Sequence, residues 1–163
     1  MSRPSVDPAV LSAAERLGWS VRETGNPDET MLGDCANGFL LLDRGQYVQL
    51  ARRSEKGAPA LKLWSPDVAA LQSYLAAAIA RLVRYREGIG PDIRVPSAVD
   101  DVAAPAELVH NDHGDVFLRW GPIGSDHWAG FGRGAEPTAV QFSHFVGRAP
   151  QSIIDELLSP TAR

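Results

Sequence analysis

The stretch SPDVAALQSYLAAAIARLVRYREGIG, residues 65–90, is the longest strongly periodic segment of the chain and predicts a helix. Its start is marked by Ser65, Pro66 and Asp67, which supply a cap, a proline suited to the first turn and a charge suited to the helix dipole. Gly88 marks its end. Apolar side chains recur on one side of this helix: Val68, Leu71, Tyr74, Leu75, Ala78, Ile79, Leu82 and Tyr85.

The stripe is wide enough to lie on a sheet. The opposite side of the helix is predicted to tolerate water, and it carries Ser73, Ala76, Ala80 and Arg84. The helix would then cover one face of a sheet and leave its own other side in solvent.

Strand patterns account for most of the remaining chain, with a short helix predicted near each terminus, over residues 8–17 and 150–158. The predicted strands are 19–24, 39–42, 46–53, 60–64, 107–110, 116–120, 127–131 and 139–146. Most strands follow one another directly, which favours antiparallel pairing. We therefore predict an α+β fold, a single domain over residues 1–163. It would have a mostly antiparallel sheet of seven or eight strands, one long helix on a face and two short terminal helices.

Composition indicates an ordinary globular protein, with 163 residues, 44% hydrophobic and 22% charged. No apolar run approaches the roughly 20 residues that a membrane span needs, and the N-terminal residues lack the apolar core of a signal peptide. The single cysteine, Cys35, cannot form an internal disulfide. We expect a cytoplasmic protein without a membrane partner, and its net charge of −4 argues against a general nucleic-acid binder.

The segment HNDHGD, residues 110–115, is the one cluster with the side chains of a metal site. A metal-dependent hydrolase or small-ligand enzyme could be built on His110, Asp112 and His113. The same segment has the Asn, Asp and Gly residues of a tight hairpin turn, and positions 110 and 113 face opposite sides of a strand. The turn is the simpler interpretation. With no serine in a G-x-S-x-G motif either, we assign no catalytic residue, no metal and no cofactor.

A third hypothesis is an adaptor for nucleic acid or another anionic ligand. It would use the cationic side chains Arg52, Arg53, Arg81 and Arg84. Such an adaptor would lose affinity steeply as the salt concentration rises.

Two segments together resemble the Imm61 family of bacterial immunity proteins: RGQYVQLARRSEKGAPALKLW, residues 44–64, and LQSYLAAAIARLVRYREGIGPDIRVP, residues 71–96. The elements that carry the resemblance are Arg44-Gly45 with Tyr47, Tyr74-Leu75, Arg84, Gly88-Ile89 and Pro96. The resemblance implies a protein without catalysis of its own that binds a cognate polymorphic toxin and obstructs its active site. One branch of the family implies that this toxin is an NAD-degrading glycohydrolase.

If the resemblance holds, the contact surface should lie on polar loops able to enter a cleft. We predict it on residues 26–34, read as an exposed acidic loop, on the turn 54–57 and on 111–115, with an aromatic anchor nearby. The predicted contact residues are Asp28, Glu29, Asp34, Glu55, Lys56, Asp112, His113 and Trp128. The free protein is expected to be a monomer.

Overall fold

The computed structural model describes residues 3–162, which form eight β-strands, four α-helices and one short 3-10 helix. The strands are β1 (Ser20–Arg22), β2 (Glu29–Gly33), β3 (Gly38–Asp43), β4 (Val48–Arg53), β5 (Ala60–Ser65), β6 (Glu107–His110), β7 (Asp115–Arg119) and β8 (Trp128–Arg133). The helices are α1 (Pro8–Glu15), α2 (Val68–Glu87), α3 (Glu136–Ser143) and α4 (Pro150–Leu158), and the 3-10 helix is Val99–Asp101. Among residues 3–162, no helix has both the length and the apolar composition needed to cross a membrane.

All eight strands belong to one sheet in the order β1-β2-β3-β4-β5-β8-β7-β6, and every neighbouring pair is antiparallel. The first five strands form a meander. The chain then crosses through α2 and returns as a second meander, whose last strand pairs with β5 where Trp64 lies opposite Gly130. The predicted α+β fold with a mostly antiparallel sheet is confirmed.

Helix α2 begins later than the sequence suggests, because Ser65 is the last residue of β5. The cap is Asp67, whose carboxylate accepts hydrogen bonds from the amides of Ala69 and Ala70. The hydroxyl of Ser65 instead donates to the carbonyl of Trp128 at 2.5 Å, which ties β5 to β8. The helix ends at Gly88, whose φ of 63° suits glycine.

Asp67→Ala is expected to lower the free energy of unfolding by about 1 kcal/mol, because two amides in the first turn of α2 lose their acceptor. Urea denaturation measures the change. Asp126→Ala is the matched control, since Asp126 is an exposed aspartate whose side chain makes no hydrogen bond within residues 3–162. Equal stability of the two variants would contradict the assigned cap.

The prediction that one side of α2 faces water is wrong. Ser73, Ala76, Ala80 and Arg84 are all at most 2% exposed, because α1 and α4 pack across that side as a second layer of helices. The hydroxyl of Ser73 donates to the carbonyl of Arg148 in the segment that leads into α4. At the ends of the predicted apolar stripe, Val68 and Tyr85 are 43% and 89% exposed.

Two further predictions are corrected by the structure. Residues 29–33 are strand β2 instead of an exposed loop, and Thr30, Met31 and Leu32 within it are buried. The predicted strand 139–146 is largely helix α3, which starts at Glu136, with Pro137 in the first turn where a proline costs no helical hydrogen bond. Helix α4 spans the predicted residues 150–158.

Candidate functional site

Helices α1, α2 and α3 pack against one face of the sheet, and α4 packs on α1 and α2. Among residues 3–162, no helix covers the other face. Side chains alternate along a strand, so Leu32, Leu41, Leu50 and Leu63 join the main core with the helices. Their neighbours on the opposite face form a separate small cluster made of strand residues alone: Met31, Leu40 and Ala51, with Leu42 packed against them. We call this second side of the sheet the open face.

An aromatic cluster occupies the open face where the two meanders meet. The ring centroids of Trp64 and Phe117 are 5.7 Å apart, those of Phe117 and Trp128 are 5.9 Å apart, and both pairs pack edge to face. All three side chains are partly exposed. Trp64 lies directly over Gly130, where an added Cβ would come within 2.3 Å of its ring. Glycine at this position therefore lets the indole lie flat on the sheet.

Exposed aliphatic side chains and charged groups surround this aromatic cluster. Val109, opposite Phe117 on β6, is 38% exposed, and Leu61, opposite Ala51, is 46% exposed. Arg119 pairs with Glu107 at 2.7 Å on the same face. Aromatic and aliphatic groups rimmed by charges are typical of protein-binding surfaces.

A concave region extends the open face over β1–β4. It encloses about 610 Å³, and its lining includes Glu29, Asp34 and Arg53 as well as Met31 and Leu40. Nη1 of Arg53 lies 3.3 Å from the sulfur of Met31, so its guanidinium covers the buried methionine. Because carboxylates and guanidinium groups stand side by side here, this part of the face can form both kinds of charged contact with a partner.

The strand order brings three of the predicted contact segments to the same end of the sheet. The turns β2–β3, β4–β5 and β6–β7 all lie at this end, because neighbouring strands run in opposite directions. These turns carry Asp34, then Glu55 with Lys56, then Asp112 with His113, in that order across the sheet. We call this edge the turn end.

The other predicted contact residues lie elsewhere. Glu29 and Trp128 lie in strands, and both contribute to the open face. Asp28 precedes β2 at the end of the sheet opposite the turn end. The predicted residues thus lie on the open face and around its borders.

Asp34 stabilises its own turn. Its carboxylate accepts hydrogen bonds from the amides of Asn37 and Ala36 at 2.6 and 2.8 Å, and these bonds hold the pKa of Asp34 below its usual range. The turn therefore keeps a negative charge at the border of the concave region.

The segment 110–115 is a hairpin turn, and its histidines do not converge. Oδ1 of Asn111 accepts hydrogen bonds from the amides of His113 and Asp115, which shapes the turn. His110 pairs instead with Glu136 of α3 at 3.1 Å. Within residues 3–162, no three His, Cys, Asp or Glu side chains are grouped so that they could hold a metal ion. The geometry therefore gives the metal-dependent hydrolase no support.

The four arginines of the adaptor hypothesis are divided among different environments. Arg53 lies on the open face, whereas Arg52 and Arg81 line a groove on the helical side of the sheet. Arg84 is 1% exposed and donates hydrogen bonds to three backbone carbonyls. These residues do not form the single cationic surface that the hypothesis requires.

Sequence reasoning found Trp128 but missed Trp64 and Phe117. The available signal was an aromatic residue at the outward position of an alternating strand: Trp64 follows the inward Leu63, and Phe117 lies between the inward Val116 and Leu118. That alternation identifies the face of a residue, but only the strand order shows that the three rings meet.

Comparisons with known proteins identify related sequences and a related fold. The sequence model of Imm61, described as Immunity protein 61, matches residues 13–163. The structure of Rv3902c from M. tuberculosis superposes with a TM-score of 0.80 at 13% sequence identity, over 98% of this chain and 92% of that chain. At this identity the similarity shows a shared fold. No curated protein sequence matches this chain.

Proposed function

This chain belongs to the Imm61 family of immunity proteins, and from that membership we propose that it binds a cognate protein toxin and covers the toxin's active site. The family match over residues 13–163 is the observation that carries the proposal. In this role the protein acts by occupying a surface and needs no catalytic group of its own. We propose that it does so in the cytoplasm as a monomer.

The open face is the surface that we propose for toxin binding. Its aromatic cluster is partly exposed, and it borders charged groups such as the Glu107–Arg119 pair. Interfaces between proteins commonly combine such an aromatic centre with a polar rim. Among the predicted contact residues, Glu29 and Trp128 contribute to this face, and the turn end supplies Lys56 and Asp112 at its border.

The toxin that we propose is an enzyme, and an NAD-degrading glycohydrolase is the class that the family resemblance implies. An immunity protein for such an enzyme would exclude NAD by covering the mouth of its binding cleft. A broad sheet face with flanking turns suits this task, because the face can lie across the opening while a turn reaches inward.

Calorimetry and an NAD-hydrolysis assay with a candidate toxin domain, sought among the genes next to this one, would test the proposal. We expect a one-to-one complex with a Kd of about 10 nM or tighter, and loss of NAD hydrolysis at equimolar protein. Failure to form the complex would contradict the proposed role. A complex that leaves the enzyme active would contradict the blocking mechanism, and a blocked toxin with another activity would overturn only the glycohydrolase assignment.

Glu29→Lys is expected to weaken toxin binding by about tenfold at low salt and by less at high salt, because it reverses a charge on the proposed surface. Association kinetics at two salt concentrations measure the effect. Glu15→Lys is the matched control, since Glu15 is an exposed glutamate of α1 on the helical side. Equal affinities of the two variants would remove Glu29 from the interface.

A further inference from the structure

A groove of about 600 Å³ lies on the helical side of the sheet, between the C-terminal half of α2 and the ends of β3, β4 and β5. Its volume is that of a small-molecule site. The sheet supplies Phe39, Arg52 and Lys62, and α2 supplies Tyr74, Arg81 and Leu82. This groove is separated from the open face by the thickness of the sheet.

The groove carries an excess of positive charge. Among the described residues, Asp92 is the one carboxylate in its lining, and it is already paired with Arg81 at 3.1 Å. Within residues 3–162, Arg52 and Lys62 make no ion pair. Two cations in the lining are thus available to an anion.

Arg52 is held rigidly in place. Its guanidinium lies 4.9 Å from the ring centroids of both Trp19 and Phe39, and Nη1 donates a hydrogen bond to the carbonyl of Gly38. Burial lowers the pKa of Arg52, and nearby Asp34 partly opposes this effect. A fixed, partly desolvated guanidinium loses little entropy when it binds an anion.

The groove also has an apolar wall next to these cations. Phe39 and Leu82 contribute to it, and so does Tyr74, whose largely buried ring packs edge to face on Phe142. Such a wall suits a flat organic group and would add little to the binding of a bare inorganic ion.

A further donor lies behind the groove at Gly90. Nη2 of Arg84 is buried and has no hydrogen-bond partner within residues 3–162. A Cβ at position 90 would lie 2.8 Å from this atom, so glycine lets the backbone pass close to the buried Nη2 at the edge of the groove. A third cationic side chain thus borders the same cavity.

We propose that this groove binds a small organic anion, whose phosphate or carboxylate group contacts Arg52 and Lys62 while its flat apolar part packs on Tyr74 and Leu82. The site is independent of toxin binding, because the open face lies on the other side of the sheet.

Calorimetry with AMP, salicylate, adenosine and inorganic phosphate as separate probes tests this site. We expect AMP or salicylate to bind in a one-to-one ratio with a Kd below 1 mM, and adenosine and phosphate to bind at least tenfold more weakly. The proposal is wrong if none of the four probes binds with a Kd below 1 mM. It is also wrong if inorganic phosphate binds as tightly as AMP and salicylate do.

Two variants locate the binding. Lys62→Gln should weaken it at least tenfold, and Ala78→Phe, which fills the groove while keeping both cations, should abolish it. Lys56→Gln, which changes the other lysine of the chain, is the control and should bind as the parent does. If Ala78→Phe still binds the anion, or if Lys56→Gln weakens binding as much as Lys62→Gln does, the anion binds elsewhere.

Unchanged toxin affinity in both groove variants would show that the two sites are independent, whereas a loss of toxin affinity would overturn that independence.

Discussion

Arg84→Met is expected to lower the free energy of unfolding by about 2–4 kcal/mol, because three backbone carbonyls lose hydrogen bonds from a charged donor. Nε donates to Pro91 at 2.9 Å, and Nη1 donates to Leu157 and Ser159 at 3.0 and 2.8 Å. Methionine fills much of the same volume but provides no donor. The carbonyl of Leu157 would then stay buried without this donor, and the partly buried carbonyls of Pro91 and Ser159 would lose theirs.

The position of these carbonyls explains why the expected effect is large. Leu157 and Ser159 lie at the C-terminal end of α4, where the helix dipole is negative and the last carbonyls have no intrahelical donor. Arg84 therefore caps a neighbouring helix while it also fixes the segment after α2 through Pro91. Its loss would loosen the attachment of α4 to α2, which is a main contact between the two helical layers.

Arg81→Met is the matched control, since Arg81 lies one turn earlier on α2 and pairs with Asp92, whose side chain is 72% exposed. We expect this exposed pair to contribute less than about 1 kcal/mol. Urea denaturation followed by circular dichroism measures both variants. If Arg84→Met lowers the free energy of unfolding by no more than Arg81→Met does, Arg84 does not cap α4.

The sequence correctly predicts those elements that are marked by residues adjacent to them in the chain. Helix α4 and the β6–β7 hairpin follow from a proline start and a polar turn, and both are present. Helix α3 was missed because Ala139, Val140 and Phe142 suit a buried strand as well as a buried helix, and only Glu136 and Pro137 upstream distinguish the two.

Long-range packing accounts for what sequence patterns do not reveal. Alanines such as Ala76 and Ala80 are compatible with either solvent or a close helix contact, and the chain termini supply the helices that bury them. The burial of Arg84 depends on carbonyls about 73 to 75 residues away in the chain, and no local pattern encodes that distance. The candidate site depends on topology in the same way, because Trp64 and Phe117 become neighbours only when β8 inserts beside β5.

Trp128→Ala is expected to weaken toxin binding by about 100-fold or more, since a tryptophan at the centre of an interface commonly contributes 2–4 kcal/mol. The indole packs edge to face on Phe117 and is partly exposed on the open face, so a partner can bury the remainder of its surface. Trp64 is the less suitable target, because its removal would also uncover Gly130 and weaken the sheet. Calorimetric titration of the toxin domain measures the loss.

Tyr85→Ala provides the control, since Tyr85 is 89% exposed on α2, on the other side of the sheet. Both variants should retain the parent circular dichroism spectrum, and Tyr85→Ala should retain the parent affinity. The loss in Trp128→Ala should depend little on salt, unlike that in Glu29→Lys, because apolar burial is not screened by ions. A folded Trp128→Ala protein that binds within threefold of the parent would show that the toxin uses another surface, and the turn end would then be the next region to substitute.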